Sequence, residues 1–348
     1  MRNLFIVLLL LGFSRLSLAE DPALPRTHLK VVGSWDFLSQ FRNYEEPFWS
    51  KSVPEKSGGQ ITAEITAFNK LGLKGTEIVR LMKLGAVDFG TMVLAYGTDS
   101  DVEGEGADLA GLSPDVTTAR AVVRAYTPVL DQFFQKTHGI KVLGVWPYPA
   151  QVLFCKSRLS SIADLKGRKV RVGTRPIGEL VEALGGVSVN IPFGEAYAAI
   201  RDGAIDCAVT GALPGNAAKL PEITQYLYAL PMGWSMAMQG VNQQAWDRLD
   251  PAVQRYLMTG LDEMNSAIWS VAASETEEGI NCSTGHDPCT RGIRGKMTLI
   301  PVSDNDRKLL RKVLSEVVIR RWAQRCSNEC VDNWNRTVGK LVGLTARR

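Results

Sequence analysis

Arg171 stands in the run KVRV, between Val170 and Val172, near the end of what reads as an interior strand. A guanidinium there is costly unless paired, and its planar fork matches a carboxylate. The chemistry it offers is an anion grip, with a structural ion pair as the alternative. Few other residues are spaced for chemistry. The three histidines, His28, His138 and His286, fall in no metal-ligand spacing. The chain has no G-x-S-x-G elbow, no G-x-x-x-x-G-K-[ST] phosphate loop, and no G-x-G-x-x-G after its first predicted strand. Cys155 and Cys207 each lie in a predicted buried strand, where a packed thiol is expected rather than a nucleophile.

The other four cysteines cluster in NCSTGHDPCT and RCSNEC. The simplest pairing is local, Cys282 with Cys289 and Cys326 with Cys330, the latter across one helical turn. Cross-pairing of the clusters is an alternative, and Cys155 and Cys207 can pair if their strands are adjacent. His286 raises a zinc site, but neither cluster has C-x2-C spacing, so no metal and no cofactor are expected. Disulfides suit an oxidising compartment. The N-terminus agrees. Arg2, the apolar run Leu4 to Phe13 and the small-x-small pattern Ser17-Leu18-Ala19 read as a signal peptide over residues 1–19, cleaved after Ala19. The apolar run is too short to span a bilayer, which needs roughly 20 residues. The net charge of +4 is mild, and no basic stripe interleaved with aromatics suggests nucleic acid.

The elements that would position Arg171 follow from a repeat. EIVRLMKLGAVDFGT, from Glu77, and EAYAAIRDGAIDCAVTG, from Glu195, align Glu77 with Glu195, Lys83 with Arg201, Gly85 with Gly203 and Asp88 with Asp206. Each copy reads as a helix, a tight Gly turn and a buried strand, the right-handed unit of a parallel sheet. Two copies imply two similar α/β lobes, with a ligand between them near the strand ends. The length of 348 residues also suggests two domains. HLKVVGSW and QITAEITAF read as further strands before the first copy. QVLFC, KVRV and VSVNI read as strands of the second half, with IGELVEALGG as a helix. A long helix is expected from Val253 to Glu278, then a strand KMTLIPV and a helix from about Asp304 to Gln324. No low-complexity linker separates the halves, so they are expected to touch and exchange strands.

SGGQITAEI, GTEIVRLMKLGAVDFG, GVWPYPAQVLF, DLKGRKVRV and GVSVNIPFGEAYAAIRDGAID, in this order behind an export signal, resemble the extracytoplasmic solute-binding proteins of tripartite ATP-independent periplasmic (TRAP) transporters. The resemblance implies a two-lobed periplasmic binding protein fold, each lobe a mostly parallel sheet flanked by helices, with a long helix spanning both. Lobe I would hold residues 27–148 and about 236–275, and lobe II 149–235 and about 276–348. The resemblance places the family's carboxylate-gripping arginine at Arg171. Gln151 stands where many members carry a second arginine, and Thr210 where many carry an asparagine that Asn216 could supply here. Phe193 matches a site aromatic. Trp35 and Phe37 follow the first strand in the cleft-lining loop. Val93 and Tyr96 occupy positions that are more polar in sialic-acid-binding members, and Thr174 and Arg175 follow the Arg171 strand.

The function so implied is capture of a small organic carboxylate in the periplasm and delivery to an integral membrane permease. Gln151 in place of arginine, with Trp35, Phe37, Val93, Tyr96 and Phe193, favours a monocarboxylate with an apolar or aromatic body. Two alternatives stand beside it. One is a secreted enzyme acting on a small organic acid with a carboxylate acid/base pair. The other is a ligand-sensing subunit for a signalling receptor.

Overall fold

The computed structural model describes residues 24–96 and 101–348; the expected signal peptide over residues 1–19 lies outside the described residues. In chain order the strands are β1 (Thr27–Gly33), β2 (Ile61–Ala67), β3 (Phe89–Val93), β4 (Ile140–Trp146), β5 (Gln151–Cys155), β6 (Lys169–Val172), β7 (Val187–Asn190), β8 (Cys207–Gly211), β9 (Tyr226–Tyr228), β10 (Ala237–Asn242) and β11 (Thr298–Ile300). They form two sheets, in the orders β2-β1-β3-β10-β4 and β11-β9-β5-β8-β6-β7. One strand in each runs against the rest: β10 is antiparallel to β3 and β4, and β5 to β8 and β9. The other pairs are parallel. Both sheets are thus mixed, each with a single reversed strand, and flanked by the helices α1 (Ile78–Lys83), α2 (Val116–His138), α3 (Arg175–Ala183), α4 (Ala196–Arg201) and α5 (Pro251–Thr284).

The repeat has a physical basis. In the first copy α1 ends at Gly85 (φ 66°), and in the second α4 ends at Gly203 (φ 76°), a left-handed conformation that glycine adopts at no steric cost. The aspartates then act alike. Asp88 Oδ2 accepts the backbone N–H of Lys30 at 2.9 Å, while its own N–H donates to Lys30 O at 3.1 Å. Asp206 does the same with Lys169, at 2.8 Å in both bonds. Lys30 lies in β1 beside β3, and Lys169 opens β6 beside β8. Each Gly-Ala-[VI]-Asp turn therefore hooks an incoming strand to its parallel neighbour and sets the register.

The chain passes between the sheets at residues 147–150, at 229–236 and along α5. Trp269 Nε1 on α5 donates to Val145 O at 2.9 Å, beside the first sheet. Further along, Gly279 meets the helix Ala212–Ala217 so closely that an added Cβ would sit 2.2 Å from Leu213 N. A helical run over 304–325 follows. It starts on the second sheet, where Asp306 accepts from Ser161 Oγ and Tyr228 Oη, both at 2.5 Å. It ends near the segment after β3, where Trp322 Nε1 donates to Val102 O at 2.9 Å. The tail expected with the second lobe thus reaches the first.

All six cysteines are paired, as Cys155–Cys207, Cys282–Cys289 and Cys326–Cys330. The two clusters do not pair with each other. Cys155 and Cys207 face each other across β5 and β8, and this bond closes the longest interval, 52 residues. Loop entropy assigns such a closure about 4 kcal/mol of stability. Thiol labelling in denaturant without reductant should find no reactive cysteine, and all six after reduction. Asp88→Ala and Asp206→Ala should each lower unfolding free energy by about 1 kcal/mol in denaturant titrations. Unequal losses would break the equivalence of the two hooks.

Candidate functional site

Arg171 leaves β6 pointing into a cavity of about 360 Å3 at the boundary of the two sheets. It is 2% exposed. Its Nε donates to Ile191 O at 2.8 Å and its Nη1 to Val209 O at 3.1 Å. Nη2 is buried and has no partner. No carboxylate among the described residues lies within ion-pair distance of it. Burial pushes the guanidinium pKa down from its ordinary value, and the neighbouring Tyr96 hydroxyl opposes this. The site is therefore a buried cation held by two carbonyls beside the Tyr96 hydroxyl, with Nη2 bonded to neither carbonyl.

The cavity walls are largely aromatic. Trp35, in the loop after β1, is edge-on to Phe193 at 5.5 Å, to Tyr148 at 6.0 Å and to Tyr96 at 6.1 Å. Phe193 also lies 5.8 Å from the Arg171 guanidinium carbon, at cation–π distance. Because Trp35 precedes and Phe193 follows the first crossing, their contact joins the two halves across the cavity. Val93, at the end of β3, completes the apolar wall.

Four polar side chains line the cavity besides Arg171 and Tyr96: Gln151, Thr210, Tyr148 and Ser235. Gln151 at the start of β5 and Thr210 at the end of β8 line it, and neither side chain is bonded within the described residues. Tyr148 is 3% exposed and its Oη has no partner. Ser34 lies beside this hydroxyl, and its Oγ donates to the buried Glu45 at 2.6 Å. Glu45 also accepts from Ser34 N and Thr91 Oγ1. Burial, and then the Glu45 charge, push the Tyr148 phenol well above its ordinary pKa, so it stays a neutral donor.

Arg171, Gln151, Thr210, Phe193, Trp35, Val93 and Tyr96 thus converge on one cavity. The remaining expected residues do not. Thr174 and Arg175 line an adjoining cavity of about 790 Å3 that shares Tyr96 and Gly173 with the first. Phe37 stacks on Phe193 at 5.9 Å from its far side and faces a separate hollow. Asn216 is fully buried, donating to Ile293 O at 2.8 Å and accepting from Ile293 N at 2.7 Å. Its amide serves the loop beyond Cys289 and does not line the cavity. Sequence reading missed Leu38, Tyr148, Pro214 and Ser235, all of which do. Pro147 and Pro149 flanking Tyr148 are a signal of a fixed, extended crossing. Ser235 gave none, since its left-handed conformation (φ 50°) is imposed by Asp108, whose carboxylate accepts the N–H groups of Trp234 and Ser235.

The DctP profile, described as bacterial extracellular solute-binding protein, family 7, matches residues 44–324. The chain belongs to this family. The kinship with TRAP solute-binding proteins expected from the motifs is borne out. A TRAP periplasmic solute-binding protein from Desulfovibrio salexigens with bound orotic acid superposes with a TM-score of 0.79 at 18% identity, covering 90% of this chain and 99% of that one. An extracytoplasmic solute receptor of Bordetella pertussis binding pyroglutamic acid gives 0.77 at 19% identity, over 88% and 99%. A solute-binding protein of Albidiferax ferrireducens is 26% identical over 261 residues, 72% of this chain and 74% of its own. The match spans only 48% of the y4mM protein of Sinorhizobium fredii, at 23% identity over 78% of this chain. It spans 37% of the ectoine-binding periplasmic protein of Halomonas elongata, at 25% identity over 36% of this chain. Among the described residues, no helix of this DctP-family protein is long and apolar enough to cross a membrane.

Asp108 gives the site a measurable pH signature. Burial raises its carboxyl pKa to about 7, against the three backbone N–H bonds it accepts. A carboxyl raised above its unfolded value favours folding fully below about pH 4. That contribution is lost as pH rises toward 7, by at most about 1.4 kcal/mol per unit. Asp108→Asn keeps an acceptor but does not ionise. Its melting temperature should gain on that of the wild type between pH 5 and pH 8.

Proposed function

We propose that this protein captures a small monocarboxylate outside the cytoplasm, after loss of its leader, and delivers it to an integral membrane permease of the TRAP type. The observation that carries the reading is the buried Nη2 of Arg171, unpartnered among the described residues, at the edge of a cavity whose described lining holds no other charge. A ligand carboxylate would take that edge and supply the missing counterion. Trp35, Val93 and Phe193 would then hold an apolar or aromatic body.

The other polar groups of the cavity refine the ligand. Tyr148 Oη and the Gln151 amide await an acceptor, so the body carries a neutral oxygen there, a hydroxyl or carbonyl. A second carboxylate is disfavoured, because Glu45 stands behind Tyr148 with no cation of its own. Two structural neighbours support such a class by analogy: orotic and pyroglutamic acid each carry one carboxylate and a neutral ring carbonyl.

A thermal-shift screen of small organic acids would find the ligand, since one held at 100 times its Kd adds about 2.7 kcal/mol of stability. Calorimetry with that acid tests the grip. Arg171→Ala should cost about 2–5 kcal/mol, roughly 30- to several-thousand-fold in affinity. Arg171→Lys should lose much of the affinity too, since the ammonium keeps the charge but not the fork. Tyr148→Phe should weaken the oxygen-bearing acid by roughly tenfold and leave its deoxy analogue nearly unchanged. Unchanged affinity in Arg171→Ala would place the carboxylate elsewhere.

A further inference from the structure

The family profile ends at residue 324, and the next residue, Arg325, makes an unusual contact. Its Nη2 pairs with Glu105 Oε2 at 2.6 Å, and its Nη1 pairs with Glu179 Oε1. Both glutamates are buried, at 8% and 6% exposure. They come from opposite sides. Glu105 belongs to the segment after β3 of the first sheet. Glu179 lies on α3, directly after the strand that carries Arg171. Glu105 also lines the cavity adjoining the site, between the two halves.

The tail around Arg325 is anchored at both ends. Upstream, Asp306 ties the 304–325 run to Ser161, Ile162 and Tyr228 of the second sheet. Arg321 adds a pair with Glu182 of α3 at 2.8 Å. Downstream, the Cys326–Cys330 bond closes the turn into helix α6 (Asn328–Trp334). There Trp334 is fully buried and donates to Gly106 O at 2.9 Å. Asn335 then fastens Ala346 through two bonds, at 2.8 and 3.0 Å. One helical run is thus fixed to the second half at its start and to the first half at its end. Between the anchors, Leu314–Val318 forms a wide π-type turn.

We propose that Arg325, with the disulfide-closed tail behind it, braces the two lobes in the closed arrangement and so sets how readily the cleft opens to admit and release its ligand. The proposal rests on the cleft being the ligand site. Arg325 is a positioning residue here and touches no ligand. The two lobes cannot part at Glu105 and Glu179 without breaking one of its two ion pairs. Without the guanidinium, the Glu105 carboxylate would still push on Glu179, and the tie between the halves at this point would be gone.

Small-angle scattering of the ligand-free mature protein tests the brace without knowing the ligand. Arg325→Met should raise the radius of gyration by on the order of 1 Å, against the roughly 20 Å expected for a folded chain of this length. Glu179→Gln removes only the charge of the second-lobe arm, and should give a smaller rise with the melting transition intact. It carries the test if Arg325→Met does not fold. Arg325→Lys keeps a cation between the carboxylates and should stay near the wild-type value. Wild-type dimensions in both Arg325→Met and Glu179→Gln would overturn the proposal. So would a lowered melting temperature with unchanged dimensions, which would make the contact a folding feature only. Because no ligand is present, either result leaves the carboxylate reading of Arg171 untouched.

Discussion

Arg171 is buried, and no carboxylate among the described residues lies within ion-pair distance of it. Removing an ion from water costs several kcal/mol even after the protein relaxes. Two backbone carbonyls offset part of this, and they come from different places, the middle of β8 and the link after β7. Those carbonyls are free because Arg171 lies where strands run out, and because β6 sits between β7 and β8 in the sheet. The cation's remaining edge then requires either water in an opened cleft or an anion in a closed one. The cavity, its aromatic walls and the contact between the halves all follow from where that edge points.

The closing contacts are of unequal weight. Lys74 reaches Glu195 across the rim at 2.9 Å, but both side chains are more than half exposed, so this pair adds little. Phe193 weighs more. It is 6% exposed, held between Trp35, Phe37 and the guanidinium. Apolar burial on that ring is gained only when the halves meet, and the same ring shields Arg171 from solvent.

The sequence makes some of this plain and hides the rest. The helix–Gly–Asp–strand unit is legible because its chemistry is local: a left-handed glycine and an aspartate that bonds one neighbouring strand. Arg171 is legible because charge inside a β-branched run is rare. The stretch between β3 and β5 was not read as elements. There Pro128 interrupts the pattern of α2, and β4 is buried on nearly every side, so neither shows a clean period. Asn216 misleads because a polar side chain spent on backbone looks the same in sequence as one kept for a ligand. Tyr148 is invisible for the converse reason: an idle hydroxyl depends on what its neighbours already bond. The reach of the C-terminal tail across both halves depends on contacts more than 200 residues apart, such as Trp322 with Val102.

The Cys155–Cys207 bond has a consequence beyond stability. Along the paired strands β5 and β8, Cys155 faces Cys207, Val152 faces Thr210 and Gln151 faces Gly211. A slip of one residue would turn every side chain on a strand to the opposite face. With the cystine fixed at one end, the pair has a single possible alignment, and the cavity-lining residues at the other end inherit it. They contribute nothing to holding that alignment. Positions 151 and 210 are therefore open to drift: a lineage can exchange one ligand preference for another there without putting the sheet at risk.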